Sequence, residues 1–193
     1  MSTLDKNWKN LVLAGGGYKG KLYRGVFQAL QQKGVVAKIR NVSGSSIGAV
    51  YGMFLCIGMG ITEIKKIESQ ITISNLAGDT ARSNFCIPDS FEALKKNVYA
   101  IFMLCKEIWS LVNSAGIHDI KPGTLLLKKI IRDNIGNSEI TFRQLKRLSE
   151  KAPARFKNLY VTGTLINLEK LSYETHYFSH QTTPSMKIAD AVA

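Results

Sequence analysis

Gly44-Ser45-Ser46-Ile47-Gly48 sets one serine between two glycines, each two residues away. Gly-x-Ser-x-Gly between a strand and a helix is the pattern of a nucleophile elbow, a strained turn with the serine at its apex. Side chains at Gly44 or Gly48 would strike the neighbouring strand and helix. Ser46 is selected over Ser43 and Ser45 because only it has glycine at that distance on both sides. Its hydroxyl would stand at a helix N-terminus, where backbone N–H groups and the helix dipole favour developing negative charge. The chemistry this suits is attack on an acyl carbon. The plain alternative is a Ser/Gly-rich turn that caps a core helix.

About thirty residues earlier stands a second glycine cluster, Gly15-Gly16-Gly17-Tyr18-Lys19-Gly20. Its Gly-x-Gly-x-x-Gly spacing also satisfies the dinucleotide fingerprint. That reading needs an acid near positions 35 to 40 for the ribose hydroxyl, where the chain has Val35-Val36-Ala37-Lys38-Ile39-Arg40. Lys38 or Arg40 could serve a 2′-phosphate, which keeps NADP as a lesser alternative. In the other reading, backbone N–H groups of the loop point at the oxyanion formed when a serine attacks an ester. Lys19 then adds positive charge beside it.

These motifs need elements to carry them. Asn10 to Ala14 reads as a short strand entering the glycine loop. From Leu22 through Gln32, apolar residues at Leu22, Val26, Phe27 and Leu30 have helical spacing, and Gly34 ends that helix. Val35 to Val42 reads as the strand leading into the elbow, and the apolar run after it as a helix. Strand, glycine loop, helix, strand, turn, helix is the opening of an α/β fold with a parallel sheet, which would bring both motifs to one end. Between Phe91 and Gly116 a broad apolar helical face with interspersed lysines is expected to be a core helix or a lipid-facing lid. Lys128-Lys129 and Arg143 through Lys157 read as solvated helix faces with loop, and Ala152-Pro153 as a break before the last strands. Tyr173 to His180 reads as a strand.

At 193 residues and 45% hydrophobic, with no low-complexity tract, the chain suits one domain with a real core. Residues 1–9 are read as an N-terminal extension and 10–193 as the domain. Cys56, Cys86 and Cys105 are odd in number and show no metal-ligand spacing, which suggests buried free thiols in a reducing compartment. No signal peptide is visible, and the longest apolar stretches fall short of the ~20 residues that span a bilayer. A cytoplasmic location with peripheral membrane association is therefore expected. The net charge is +12, and no acid occurs between Asp5 and Glu63 while eight lysines and arginines do. A solvated basic surface or attraction to an anionic phospholipid surface explains this. Nucleic acid is disfavoured, since no signature of a binding module appears.

Gly-Gly-Gly-Tyr-Lys-Gly followed by Gly-Ser-Ser-Ile-Gly resembles the patatin-like phospholipase family. Softer likenesses extend this to nearly the whole chain, from about Leu11 to Ala193. They are Gly116-Ile117-His118-Asp119, Leu125-Leu126-Leu127, Thr141 to Leu145, Leu159 to Thr164, and Thr183-Pro184 with Ile188 to Ala193. The resemblance implies a three-layer α/β sandwich with a mostly parallel central sheet. It implies Ser46 as nucleophile in the elbow Gly44, Ser45, Ser46, Ile47 and Gly48. It also implies an oxyanion loop of Gly15, Gly16, Gly17, Tyr18, Lys19 and Gly20. The expected activity is hydrolysis of lipid acyl esters, of phospholipase A or lysophospholipase kind, with no cofactor or metal and with an activating protein as a further partner.

One departure matters. The family pairs its serine with an aspartate in an Asp-Gly-Gly or Asp-Gly-Ala motif, and this chain has no Asp-Gly pair. A serine without a base is a poor nucleophile. Asp190, on its own helix, and His176 with His180 are the substitutes within the sequence, the histidines also reading as ordinary surface residues. The aspartate is therefore expected beyond Ala193, with a catalytically inactive lipid- or protein-binding relative as the alternative.

Overall fold

The computed structural model describes residues 8–71, 75–76, 121–167 and 172–193. In chain order the elements are β1 (Asn10–Leu13), α1 (Leu22–Gln32), β2 (Asn41–Ser45), α2 (Ile47–Cys56) and α3 (Ile61–Ile67). Then come α4 (Lys121–Ile135), α5 (Phe142–Lys151), β3 (Asn158–Asn167), β4 (Ser172–Phe178) and α6 (Ile188–Val192). The sheet runs β1-β2-β3-β4. The first three strands are parallel, and β4 returns antiparallel along β3. This is the mostly parallel α/β sheet, flanked by helices, that the motif order predicts.

One face of the sheet presents Leu13, Val42, Leu159 and Val161, all buried. Against it lies α2, whose residues from Gly48 to Cys56 are buried without exception. An apolar helix with no polar stripe must be covered all round. The sheet covers α2 on one side, and aromatic rings from α1 cover it on another. Phe27 and Tyr51 have ring centroids 6.4 Å apart, and Tyr51 meets Phe54 edge-on at 5.5 Å. Burying each such side chain stabilises the fold by roughly 1.5–3 kcal/mol. α2 can lie close because Gly52 has no side chain: a Cβ there would stand 3.2 Å from Val42 Cγ1.

Two polar devices fix the arrangement. Asn10, Asn41 and Asn158 occupy one row of the sheet. Asn41 Nδ2 donates to Asn10 Oδ1 at 2.8 Å, and Asn158 Nδ2 donates to Asn41 Oδ1 at 2.8 Å. The Ser149 hydroxyl of α5 closes the chain on Asn158 Oδ1 at 2.7 Å. A one-residue slip would break the whole row, so it pins the register. The second device is Glu68, buried just after α3. It accepts from Arg24 Nη1 of α1 at 2.6 Å and from the Tyr51 hydroxyl of α2 at 3.1 Å. Desolvation, reinforced by the Glu68 carboxylate, pushes the Tyr51 phenol well above its ordinary range.

The structure corrects the sequence reading at several places. The strand expected over Val35 to Val42 begins only at Asn41. Gly34, at φ +67°, reverses the chain, and Lys38 N–H then closes a turn on the Val35 carbonyl at 2.9 Å. Val35 to Lys38 form that turn, and Ile39 after it is tucked into the core. The apolar run after the elbow stays helical only to Cys56, since Gly58 at φ +79° ends it. Lys157, expected on a solvated surface, is fully buried. Its ammonium donates to the carbonyls of Pro153 at 2.6 Å and Ala154 at 2.8 Å. Lys128 is engaged too, with Glu139 at 3.1 Å and Asp190 at 3.7 Å. Thr141 caps the start of α5 with a capping box in which Thr141 and Gln144 satisfy each other's N–H groups. Cys56 is a buried free thiol, whereas Cys86, Cys105 and the segment Phe91 to Gly116 lie outside the described residues.

Candidate active site

β2 delivers the chain to Ser46, and α2 carries it away. Ser46 has φ 52° and ψ −130° and is the sole non-glycine residue at positive φ among those described. A side-chain-bearing residue tolerates that conformation at a cost of roughly 1–3 kcal/mol, and such strain concentrates at functional turns. The turn is sharp because two glycines let backbone meet backbone. A Cβ on Gly44 would stand 2.4 Å from the Gly48 carbonyl oxygen, and one on Gly48 would stand 2.3 Å from that of Leu13. Ser46 is exposed at the N-cap of α2, and its carbonyl accepts from Ala49 N–H at 2.8 Å.

The glycine loop comes to the same apex. A Cβ added to Gly15 would meet Ser46 Cβ at 3.4 Å and the Ser45 carbonyl oxygen at 3.6 Å. Gly17 takes φ +54° and opens a 3-10 turn, Gly17–Lys21, closed by Lys19 N–H on the Gly16 carbonyl at 3.1 Å. Gly15, Gly16, Gly17 and Lys19 are exposed, whereas Gly20 is buried. A Cβ on Gly20 would stand 2.3 Å from Ile47 Cγ1 and 3.2 Å from Tyr51 Cε2. Gly20 is thus the close-packing point that seats the loop on the first turn of α2. Among the described residues, the N–H groups of Gly15, Gly16, Gly17, Ile47 and Gly48 find no backbone acceptor. Ile47 and Gly48 directly follow Ser46 at the start of α2, and free N–H groups at a helix N-terminus suit an anion.

Two residues that sequence reasoning passed over hold the loop. Tyr23 donates its hydroxyl to the Ala14 carbonyl at 2.6 Å, tying the first turn of α1 to the start of the loop. Its ring lies 5.7 Å from that of Tyr51, which backs Gly20. Tyr23 and Tyr51 resemble any core aromatics in sequence, and only their contacts reveal the clamp.

The residues weighed as bases are elsewhere. Asp190 sits in the first turn of α6 beside Lys128. His176, on β4, meets the Phe178 ring at a tilt with centroids 4.8 Å apart, while His180 lies past the end of that strand, edge-on to Tyr160 at 5.6 Å. Burial and the nearby Lys146 hold the His180 imidazole below its ordinary value. Gly116 to Asp119 fall outside the described residues. Among the described residues, nothing hydrogen-bonds the Ser46 hydroxyl, and no three His, Cys, Asp or Glu side chains converge. The NADP alternative loses its ligands: Lys38 and Arg40 precede β2, at the end of the sheet away from the glycine loop. The Arg40 guanidinium is spent on the carbonyls of Ala37 at 2.7 Å and Pro153 at 3.3 Å.

A parallel α/β sheet with a strained serine elbow beside a glycine loop defines a class of protein. Residues 11–193 match the model of the family described as patatin-like phospholipase, and the chain belongs to that family. It is 28% identical over 185 residues to the uncharacterized protein R571 of Acanthamoeba polyphaga mimivirus, covering 95% of this chain and 50% of that one. With protein L620 of the same virus it shares 23% over 192 residues, covering 90% and 46%. The chain thus spans about half the length of the curated relatives it matches. Among solved structures it is similar to ExoU, from the type III secretion system of Pseudomonas aeruginosa, in complex with SpcU. There the TM-score is 0.67 at 24% identity, over 96% of this chain and 37% of the other. VipD from Legionella pneumophila gives a TM-score of 0.56 at 24% identity, over 96% and 41%. At these identities the likeness is one of fold.

Proposed function

We propose that this chain carries the nucleophile and oxyanion site of a lipid acyl ester hydrolase of phospholipase A or lysophospholipase type. The observation that carries the reading is the closeness of Gly15 to a serine held at positive φ: a Cβ added to Gly15 would meet Ser46 Cβ at 3.4 Å. In this mechanism Ser46 Oγ attacks the acyl carbonyl carbon and passes its proton to a base. The carbonyl oxygen becomes an oxyanion, stabilised by N–H groups of the Gly15–Gly17 loop and the first turn of α2. Collapse expels the alcohol, protonated by the same base, and leaves an acyl-serine. Water then adds to that ester and releases the fatty acid. The base is an aspartate outside the described residues, as the family resemblance implies. An anionic membrane surface supplies the substrate.

A second reading is a relative that keeps the fold and binds lipid or protein without turnover. It is favoured by the lack of a basic partner for the Ser46 hydroxyl among the described residues. A fluorophosphonate separates the two. Labelling of the chain that disappears in Ser46→Ala supports the hydrolase, whereas no labelling of either protein supports the binder.

A further inference from the structure

The sheet is not flush at the end that bears Ser46. β2 pairs with β3 only as far as Ser45 opposite Thr162. β3 then continues through five more residues, Gly163 to Asn167, paired solely with Ser172 to His176 of β4. At ~3.3 Å per residue this two-stranded ribbon reaches about 16 Å past the row of Ser45. Tyr177 stands in that row, opposite Thr162, and Tyr173 four residues further out. Alternation puts Tyr173, Thr175 and Tyr177 on one side of the ribbon and Glu174 on the other. Tyr173 is 82% exposed and Tyr177 56%.

The glycine-loop side of the same end is also unusual. Lys19, Lys21 and Leu22 follow one another around the start of α1, and all are exposed, Leu22 at 71%. Neither lysine has an ion-pair partner among the described residues, and the sequence holds no acid between Asp5 and Glu63. Exposed tyrosines have an apolar body and a polar tip, which places them well at a membrane–water boundary. Exposed lysines near such a surface are drawn to anionic head groups.

We propose that the β3–β4 ribbon, through Tyr173 and Tyr177, and the Lys19-Lys21-Leu22 rim seat this end of the sheet on an anionic lipid surface. The purpose of this docking rests on the lipid-hydrolase reading, but its test does not. Ser46 lies between the two contacts, so a molecule docked this way presents the elbow to the layer that holds its substrate.

The test is co-flotation of the chain with phosphatidylcholine vesicles, made with and without phosphatidylserine. The parent protein floats with the serine-lipid vesicles and far less with the others. Replacing Tyr173→Ser and Tyr177→Ser together lowers the partition at least about tenfold, while Tyr173→Trp retains it. Lys19→Gln with Lys21→Gln lowers it by about fivefold per lysine, on the anionic vesicles alone. Urea midpoints equal to that of the parent certify folding, and Tyr173→Ser alone replaces the double variant if that one unfolds. The proposal is overturned if the parent does not float, or if the tyrosine variants float as it does. It is equally overturned if light scattering shows the parent to be a dimer that those variants split, since the tyrosines then join two copies. Hydrolysis of a dissolved short-chain ester reads the catalytic site separately: flotation without hydrolysis sinks only the hydrolase reading, and hydrolysis without flotation sinks only the docking.

Discussion

Gly48, two residues past the apex of the elbow, faces Leu13, the last residue of β1, so closely that a Cβ would stand 2.3 Å from the Leu13 carbonyl oxygen. The same atom would lie 2.6 Å from the Ala14 oxygen, where the glycine loop begins. The elbow and the loop are therefore coupled through backbone, which cannot step aside as a flexible side chain can. Gly48→Ala is expected to destabilise the chain by about 3 kcal/mol, the range of severe overpacking. Gly25→Ala is the control, since a Cβ there meets nothing within 4 Å and helix α1 gains about 0.5–1 kcal/mol. Urea denaturation of both variants measures the contrast, and equal midpoints would show that the elbow has slack.

Ser46 divides strain from chemistry. Ser46→Ala keeps a Cβ at φ 52°, so stability should stay within about 0.5 kcal/mol of the parent while fluorophosphonate labelling is lost. Ser46→Gly removes the Cβ that makes the conformation costly and should raise stability by about 1 kcal/mol. A glycine variant less stable than the alanine one would contradict a strained elbow.

The asparagine row makes a prediction about the sheet. Asn41 donates to Asn10 and accepts from Asn158, so Asn41→Ala deletes two hydrogen bonds and leaves Asn158 Nδ2 without its acceptor. The expected loss is about 1–3 kcal/mol. Asn10→Ala, at the exposed end of the row, should cost under half as much. Thermal melts of the two variants test the ordering, and similar losses would argue against a graded row.

Lys157 gives the stability a pH signature. Desolvation, with the nearby Arg40 charge, lowers its pKa to about 8, against an ordinary value near 10.5. Below pH 8 the folded chain carries a buried ammonium and the full cost of it. As pH rises past 8 the folded chain releases a proton that the unfolded chain still holds. The unfolded state then binds more protons, and stability climbs by up to ~1.4 kcal/mol per pH unit. Cys56 opposes this from about pH 9, because burial keeps its thiol protonated in the fold while the unfolded thiol ionises. The rise is therefore clearest between pH 8 and 9. Chemical denaturation across that interval should show it in the parent and not in Lys157→Met.

Much of the fold was legible because local chemistry and tertiary demand agree there. α1 runs from Leu22 to Gln32, the span its apolar spacing indicates, and Gly34 ends it. The elbow's glycines announce a backbone contact that any occupant of the turn must respect. Where a pattern served two ends, the reading slipped. Val35 to Val42 reads as one strand, but Gly34 turns the chain, the strand begins only at Asn41, and Ile39 is buried ahead of it. Lys157 sits in a charged stretch, and the carbonyls that hold it come from a turn whose geometry no spacing states.

The sequence by itself determined the order of the elements, the two glycine-bearing turns and the place of Ser46, unlike its neighbouring serines, between two glycines. These follow from residue type and spacing along a single chain, where steric exclusion acts over a few bonds. Only the tertiary structure decided that Gly15 meets Ser46, that Tyr23 and Tyr51 clamp the loop between them, and that Asn10, Asn41 and Asn158 share one row. Each of these depends on strand register and helix docking, which join residues tens of positions apart. Their side chains carry no local mark of the partner they will meet.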